Sequence, residues 1–269
     1  MGRKVILVGC GNMGYAMLKG WLAAGRLAPA DVTVVEPNPE LRARAATHGV
    51  KVAGEAGELG EVTADLVIFA VKPQVIRNVV PAYRGMAGSA AYVSVAAGTA
   101  VATFEELLGA DAAIIRCMPN TPAAIGKGMM VLFANRNVRG ETKTFVETLL
   151  AASGAVTSID DETLMDAVTA VSGSGPAYVF HFIECLTAAG EKAGLPGETA
   201  RLLAMQTVYG AACLARESGE APGRLREQVT SPGGTTAAAL HILMGEERLK
   251  TLLVDAVEAA RRRSVELGK

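Results

Sequence analysis

The sequence predicts two domains, an α/β domain with a doubly wound, mostly parallel sheet and an all-helical domain after it. Two observations support this division. Short β-branched runs alternate with helical stretches in the first half, and strand signals stop after about Asp160. The chain has 269 residues, enough for two ordinary domains. We therefore expect an α/β domain over residues 1–160 and a helical domain over residues 161–269.

The predicted strands are apolar on both faces, as expected for parallel strands that helices cover on both sides. They lie at Lys4–Val8, Val32–Glu36, Val50–Val52, Asp65–Val71, Ala91–Val95, Ala113–Cys117 and Met129–Phe133. The helices between them are predicted at Met13–Ala24, Pro39–His48, Gln74–Met86 and Thr103–Leu108.

The second half is predicted to be helical and dimeric. Its helical stretches are Glu162–Val171, Pro176–Ala193, Glu198–Ser218 and a last one from Thr235 to the C-terminus. The two middle stretches carry wide apolar faces, which a domain of this size cannot bury alone. We therefore expect an obligate homodimer with interlocking helices, and a self-contained monomeric bundle is the alternative.

Composition argues against several classes of partner. The net charge of −1 gives no electrostatic reason to expect a nucleic acid or an anionic membrane as partner. No apolar run is long enough to span a bilayer, and the N-terminus lacks the pattern of a signal peptide. Cys10, Cys117, Cys185 and Cys213 have no metal-ligand spacing. They are expected to be reduced, mostly buried thiols of a cytoplasmic protein, and no metal site is predicted.

A glycine-rich turn follows the first strand directly. Gly-x-Gly-x-x-Gly between a strand and a helix is the fingerprint of a Rossmann dinucleotide-binding domain. Gly9 allows the tight turn, Gly11 lets a pyrophosphate approach the backbone, and Gly14 lets the helix pack closely. The helix would direct free N–H groups at the phosphates, so Asn12 and Met13 join the predicted cofactor-binding residues.

Glu36 ends the second strand, about twenty residues past the glycine turn. An acidic residue there accepts hydrogen bonds from the adenosine ribose 2′-hydroxyl, which favours NAD and repels a 2′-phosphate. Asn38, however, could donate to a phosphate, and Arg42 or Arg44 could reach it. The choice between NAD and NADP therefore stays open, and a solvated strand end is the alternative for Glu36.

Further turns follow strands whose carboxyl ends line the ligand crevice of an open α/β sheet. Small residues there let a flat cofactor ring lie on the backbone, and prolines fix the turns. Lys72 is either near the nicotinamide or a surface lysine. The candidate cofactor-binding residues in these turns are Ala70, Val71, Lys72, Pro73, Ala96, Ala97, Gly98, Pro119 and Asn120.

Two turns in the helical half, Ser172–Pro176 and Ser231–Thr236, place hydroxyls and free N–H groups at helix N-termini. Each is either a capped interhelical turn or a carboxylate site, and together they suggest a small anionic substrate held against the nicotinamide. No strong general acid or base is evident. His181 lies in an apolar helix and is expected to be packed in the core.

Five motifs, in this order, resemble the pyrroline-5-carboxylate reductase family over the whole chain. They are residues 9–14, Ala70–Pro73, Met118–Pro122, Val171–Tyr178 and Ser231–Thr236, the last being the most specific. The resemblance implies reduction of 1-pyrroline-5-carboxylate to L-proline by NADP(H) or NAD(H), with NADP slightly favoured. It also implies a helical dimerisation domain and, in many members, decamers built from dimers.

The resemblance also implies roles for single residues. Thr236 corresponds to the catalytic threonine whose hydroxyl meets the substrate nitrogen. The implied substrate-binding residues, which hold the carboxylate, are Ser231, Gly233, Gly234, Thr235 and Ser174. A β-hydroxyacid dehydrogenase is a rival class, but residues 176–184 lack its lysine. A non-catalytic redox sensor is a second rival, which has no need of the two helix-terminus turns.

Overall fold

The computed structural model describes residues 2–60 and 62–268, and the chain divides into two compact units. The first unit runs to Ser174 and also takes in the C-terminal residues from Ala260 onward, and the second is Gly175–Ala259. The first compact unit thus extends past residue 160, because residues 161–174 pack on it, and the domain boundary at residue 160 stays a prediction. There the Glu162 carboxylate accepts hydrogen bonds from Arg116 Nη1 at 2.6 Å and from the Val101 N–H at 2.8 Å.

Among the described residues, the first unit contains an eight-stranded sheet with the order β3-β2-β1-β4-β5-β6-β7-β8. The strands are β1 Val5–Val8, β2 Val32–Val35, β3 Lys51–Ala53, β4 Leu66–Phe69, β5 Ala91–Ser94, β6 Ala113–Met118, β7 Gly128–Ala134 and β8 Gly154–Ser158. All neighbours pair in parallel except β6 and β7. This confirms the doubly wound, mostly parallel sheet.

Helices follow most strands of the first unit. They are α1 Asn12–Ala23, α2 Pro39–Ala46, α3 Ile76–Val79, α4 Val101–Leu108, α5 Gly140–Leu150 and α6 Met165–Val168. The remaining helices are α7 Gly175–Lys192, α8 Gly197–Glu217, α9 Pro222–Gln228, α10 Thr235–Met244 and α11 Arg248–Leu267. No helix among the described residues is long and apolar enough to cross a membrane.

Two apolar layers enclose the sheet and complete the core of the first unit. One contains Met17, Leu18 and Trp21 of α1 against the sheet, all fully buried. The other contains Phe69, whose ring packs edge-on against Tyr83 at a centroid distance of 5.4 Å. The continuous apolar runs of the central strands therefore have cover on both faces, which is what parallel pairing requires.

The structure differs from the sequence expectation at several elements. The single helix expected at Gln74–Met86 is only α3 flanked by 3₁₀ turns at Pro73–Val75 and Val80–Met86. Pro81 accounts for this, since it has no N–H to continue the α-helical ladder. The sequence did not predict α5, β8 or α9. The expected last helix is interrupted at Gly245–Glu247, where Glu246 has φ 54°.

The second unit leaves large apolar side chains uncovered. Phe180, Leu202, Tyr209 and Leu252 are each more than half exposed. His181 is also exposed, to 75%, and its Nδ1 lies 3.0 Å from Glu184 Oε2, so its expected place in a core is wrong for the single chain. The wide apolar faces thus have no cover within this unit.

Candidate active site

The glycine turn has the geometry that its sequence predicts. Gly9 has φ +89°, and a Cβ there would lie 2.7 Å from the Ala70 carbonyl oxygen. A Cβ on Gly14 would overlap the Gly9 carbonyl oxygen, whereas one on Gly11 meets no atom within 4 Å. The first and third glycines are therefore required by packing, and the middle one opens onto free space.

That free space lies at the N-terminus of α1. Gly11 is its N-cap, and no side chain among the described residues caps the helix. Tyr15 makes the first bond of the helix, from its N–H to the Gly11 carbonyl at 2.9 Å, which leaves the N–H groups of Asn12, Met13 and Gly14 without an intrahelical partner. Open backbone donors with the positive end of the helix dipole suit an anion such as a pyrophosphate.

Glu36 joins this turn to the end of β2. The residue is only 6% exposed, and its Oε2 accepts a hydrogen bond from the Cys10 N–H at 2.7 Å. Oε1 accepts from the Asn38 N–H at 2.9 Å. The carboxylate therefore fixes the glycine turn in addition to any contact with a ribose.

The neighbouring predicted residues have structural partners as well. Asn38 caps α2 by accepting from the N–H groups of Glu40 and Leu41. Arg42 Nη1 donates to the Glu36 carbonyl at 2.7 Å, and Arg44 Nη2 donates to the Cys10 carbonyl at 2.9 Å. Both arginines thus lie beside the strand end where a 2′-phosphate would have to bind.

A mostly apolar cavity of about 510 Å³ adjoins the glycine turn. Its lining includes Gly9, Pro37, Val71, Val75 and Asn78. A mostly apolar cavity with few polar groups suits an aromatic base. The turn and the cavity together therefore fit the pyrophosphate and adenine of a dinucleotide.

The remaining strand ends carry the other cofactor candidates. Lys72 is exposed in the turn after β4, followed by Pro73. Ala96 is buried, and its N–H donates to Ser94 Oγ at 3.2 Å. Gly98 has φ +72°, and a Cβ there would approach the Ser264 carbonyl oxygen at 3.2 Å. These side chains lie at the carboxyl edge of the sheet, as predicted, but their contact with a cofactor stays a prediction.

Asn120 follows β6 and binds backbone on two sides. Its Oδ1 accepts from the Met129 N–H at 2.8 Å, and its Nδ2 donates to the Ser172 carbonyl at 3.2 Å. Sequence reasoning predicted a cofactor contact for Asn120 and had no signal for this bridge, which joins segments 52 residues apart.

The second unit holds the other predicted loop. Gly233 has φ +71°, and the Gly234 N–H donates to the Ser231 carbonyl at 3.0 Å, which closes the turn before α10. No side chain among the described residues caps α10, whose N-cap is Gly234. The first-turn N–H groups, including those of Thr235 and Thr236, are therefore available to a carboxylate.

The cysteine within the glycine turn, Cys10, is buried. Burial is the main cause that raises the pKa of the Cys10 thiol to about 11. The nearby Arg44 lowers this pKa, and Glu36 raises it further. Burial likewise raises the pKa of Cys117 to about 12. All four cysteines are free; Cys213 is half-buried and Cys185 is exposed, so only Cys10 and Cys117 are buried as expected.

The sheet order, the glycine turn and the adjoining cavity define a Rossmann-type dinucleotide-binding protein with a helical second unit. Comparison with known sequences agrees with both parts. A family model described as NADP oxidoreductase coenzyme F420-dependent matches residues 4–98, and one described as pyrroline-5-carboxylate reductase dimerisation matches residues 162–267.

Individual relatives make the assignment specific. The chain is 41% identical to pyrroline-5-carboxylate reductase of Synechocystis sp., over 98% of this chain and 97% of the relative. It is also 41% identical to that of Arabidopsis thaliana, over 99% and 96% of the two chains. The chain belongs to the pyrroline-5-carboxylate reductase family, which confirms the resemblance seen in its motifs.

Solved structures show the same fold. A pyrroline-5-carboxylate reductase from Coxiella burnetii is 35% identical, with a TM-score of 0.94 and full coverage of both chains. The Plasmodium falciparum pyrroline carboxylate reductase, solved with NADP bound, is 31% identical with a TM-score of 0.86 and covers 99% of this chain and 98% of its own. The dimerisation model at residues 162–267 includes the whole second unit, and the match supports a homodimer.

Proposed function

We propose that this chain reduces 1-pyrroline-5-carboxylate to L-proline with NAD(P)H, the last step of proline biosynthesis. The observation that carries the proposal is the open glycine turn at residues 9–14, in a chain that matches pyrroline-5-carboxylate reductases over nearly its full length. The NADP seen in the Plasmodium falciparum relative supports the choice of cofactor class.

The cofactor, when bound, supplies a hydride to the carbon of the substrate C=N bond. Gly11 and the N-terminus of α1 hold its pyrophosphate, and the turns at Ala70–Pro73, Ala96–Gly98 and Pro119 support the rest of it. The electron pair of the C=N bond moves to the nitrogen, which becomes an amine. Because the imine nitrogen arrives already protonated, no side chain has to deliver a proton to it.

The helical loop serves the substrate in this proposal. The Thr236 hydroxyl hydrogen-bonds the substrate nitrogen and so orients the imine. Ser231, with the backbone from Gly233 to Thr235, holds the carboxylate at the N-terminus of α10, where free N–H groups favour an anion. The Ser174 N–H is already bonded to the Thr169 carbonyl at 2.9 Å. Ser174 therefore contributes to substrate binding through its hydroxyl. The chain thus positions its reactants rather than exchanging protons with them.

NADP(H) is slightly favoured over NAD(H), and Glu36 is the residue that opposes it. A carboxylate at this strand end repels a 2′-phosphate, while Arg42 and Arg44 lie close enough to attract one. Glu36→Gln removes the charge but keeps an acceptor for the Cys10 N–H. We expect the ratio of kcat/KM for NADPH to that for NADH to rise about tenfold, or about 1.4 kcal/mol. An unchanged ratio would make Glu36 a purely structural residue.

Assembly and location extend the proposal. In the homodimer, residues 1–160 form the nucleotide domain and residues 161–269 form the dimerisation and substrate domain. Five dimers associate further into a decamer. The protein works in the cytoplasm, which the four free cysteines support. With a net charge of −1, neither nucleic acid nor a membrane is proposed as a partner.

The proposal is tested by adding 1-pyrroline-5-carboxylate to the purified protein with NADPH or NADH and following loss of the reduced nicotinamide. Oxidation that depends on both the imine and the protein is the expected result. A redox sensor of the same fold would bind the cofactor without turnover, so binding without oxidation would favour that alternative and refute the reductase.

A further inference from the structure

The segment between α6 and α7 is wound unusually. Residues Thr169–Gly173 form a π-helical turn, closed by the bond from the Ser174 N–H to the Thr169 carbonyl at 2.9 Å. A π-turn inserts an extra residue into a helix and is frequent at functional sites. Here it ends at Ser174, one of the residues proposed to bind the substrate.

Two contacts fix this π-turn on the first unit. The Asn120 amide donates to the Ser172 carbonyl at 3.2 Å, and it lies 3.5 Å from Ser172 Oγ. On the same side, a Cβ on Gly173 would lie 3.3 Å from Met118 Sδ, so the turn packs directly against the end of β6. The position of the π-turn is therefore set by the strand end that carries the candidate cofactor-binding residues Pro119 and Asn120.

The Asn120 side chain is itself held in place. Its Oδ1 accepts from the Met129 N–H at 2.8 Å, the second residue of β7. With Oδ1 bonded to β7 and Nδ2 bonded to the π-turn, the amide orientation is fixed, and both of its ends are used on backbone. This geometry leaves Asn120 poorly suited to bind the cofactor directly and well suited to locate Ser174.

We propose that Asn120 is a positioning residue for the imine substrate, acting through the π-turn to place the Ser174 hydroxyl. The inference rests on the proposed function, since it assumes that Ser174 contacts the substrate. It assigns Asn120 an effect on substrate recognition, not on cofactor affinity. If the Asn120 amide only stabilised the fold, its loss would not selectively change either substrate recognition or cofactor affinity.

Asn120→Asp isolates the contact with the π-turn. The aspartate keeps an oxygen that accepts from the Met129 N–H, but its second oxygen faces the Ser172 carbonyl and cannot donate to it. Loss of a hydrogen bond that leaves a half-buried carbonyl unpaired weakens placement of the turn. We expect the KM for 1-pyrroline-5-carboxylate to rise about tenfold, with the Kd for NADPH, measured by nicotinamide fluorescence, unchanged within about twofold.

Asn135→Asp is the matched control. Asn135 is buried, its Oδ1 accepts from the Ile114 N–H at 3.1 Å, and its Nδ2 donates to the Ala112 carbonyl at 3.0 Å. It therefore makes the same two kinds of backbone bond at the opposite end of β6, away from the carboxyl edge. This variant is expected to lower Tm while leaving the KM for the imine unchanged.

Gly173→Ala tests the same turn without touching Asn120, and it serves if Asn120→Asp fails to fold. The added methyl pushes the turn from Met118, while alanine favours helix over glycine, so stability is retained. A severalfold rise in the KM for the imine is expected. An unchanged KM in the folded variants, or a weakened Kd for NADPH without a change in KM for the imine, would overturn the proposal. Absence of turnover in the wild type would instead refute the proposed function.

Discussion

The two units of this chain solve the burial of apolar surface in opposite ways. In the first unit, the strands are covered on both faces, and Trp21, Phe69 and Phe104 are fully buried. In the second, α7 has no buried residue, and Phe180 is 59% exposed. The first unit has a self-sufficient core, whereas the second requires a partner. A nucleotide site thus rests on a rigid scaffold, and the dimer contact is built from helices that are incomplete alone.

The largest effect is expected where α1 packs against the glycine turn. Gly14→Ala would bring a methyl group onto the Gly9 carbonyl oxygen, so the helix must move away from the turn. We expect the free energy of unfolding to fall by about 3 kcal/mol in denaturant titration. Gly85→Ala, where a Cβ meets no atom within 4 Å, is the control for a change of less than about 1 kcal/mol.

Gly11→Ala separates function from packing in the same turn. Its Cβ would meet no protein atom within 4 Å, so Tm is expected to stay within a few degrees of wild type. The methyl occupies space proposed for the pyrophosphate, and the Kd for NADPH should rise at least about tenfold. Equal NADPH affinity in the variant would remove the glycine turn from the cofactor site.

The need of the second unit for a partner is tested at Leu202. This side chain is 66% exposed on α8, and Leu202→Glu would place a charge in any interface that covers it. Burial of an unpaired charge costs several kcal/mol, so the dimer dissociation constant should rise at least about thirtyfold, or about 2 kcal/mol. Sedimentation velocity measures it, with Thr148→Glu at an exposed position of α5 in the first unit as control. If Leu202→Glu remained as dimeric as wild type, this face would not form the interface.

Thr236→Ala tests the loop of the second unit. Removal of the hydroxyl oxygen that accepts a hydrogen bond from the protonated substrate nitrogen should lower kcat about a hundredfold, with the Kd for NADPH retained. Thr230→Ala is the control, because the Thr230 hydroxyl donates to the Arg226 carbonyl at 2.6 Å and belongs to the preceding helix end. Similar kinetics in the two variants would exclude Thr236 from the mechanism.

The smallest expected effect is a pH dependence of the stability of the first unit, whose core contains Cys117. Burial raises the pKa of Cys117 from 9.0 to about 12, so above pH 9 the unfolded chain loses this proton while the folded chain keeps it. Stability therefore falls as pH rises, by roughly 1 kcal/mol at pH 10 from this thiol alone. Cys117→Ala should lose that much less between pH 7 and 10 than wild type. Parallel losses would contradict the assignment.

Sequence predicted the scaffold well where the pattern was local. The apolar strands, the glycine turn and the start of α2 at Pro39 all follow from short-range rules of periodicity and backbone freedom. The sequence also predicted the uncovered helices, because their wide apolar faces can be recognised from the spacing of apolar residues. It failed for His181, since a helix exposed in one chain has the same pattern as a core helix.

The contacts that sequence could not predict are long-range. The bond of Glu36 to Cys10 joins residues 26 apart, and that of Asn120 to Ser172 joins residues 52 apart. No periodicity encodes such pairs, because they depend on which strand ends become neighbours in the sheet. The π-turn at Thr169–Gly173 has no propensity signal either. These long-range hydrogen bonds determine the geometry of the candidate site, and they had to be read from the structure.

The central claim is that this chain transfers a hydride from NAD(P)H to the imine carbon of 1-pyrroline-5-carboxylate. The most direct measurement uses NADPH deuterated at the transferred position and mass spectrometry of the product. The account predicts proline that carries one deuterium on the former imine carbon, formed in step with cofactor oxidation. Cofactor oxidation without deuterated proline, or no oxidation with either NADPH or NADH, would contradict it.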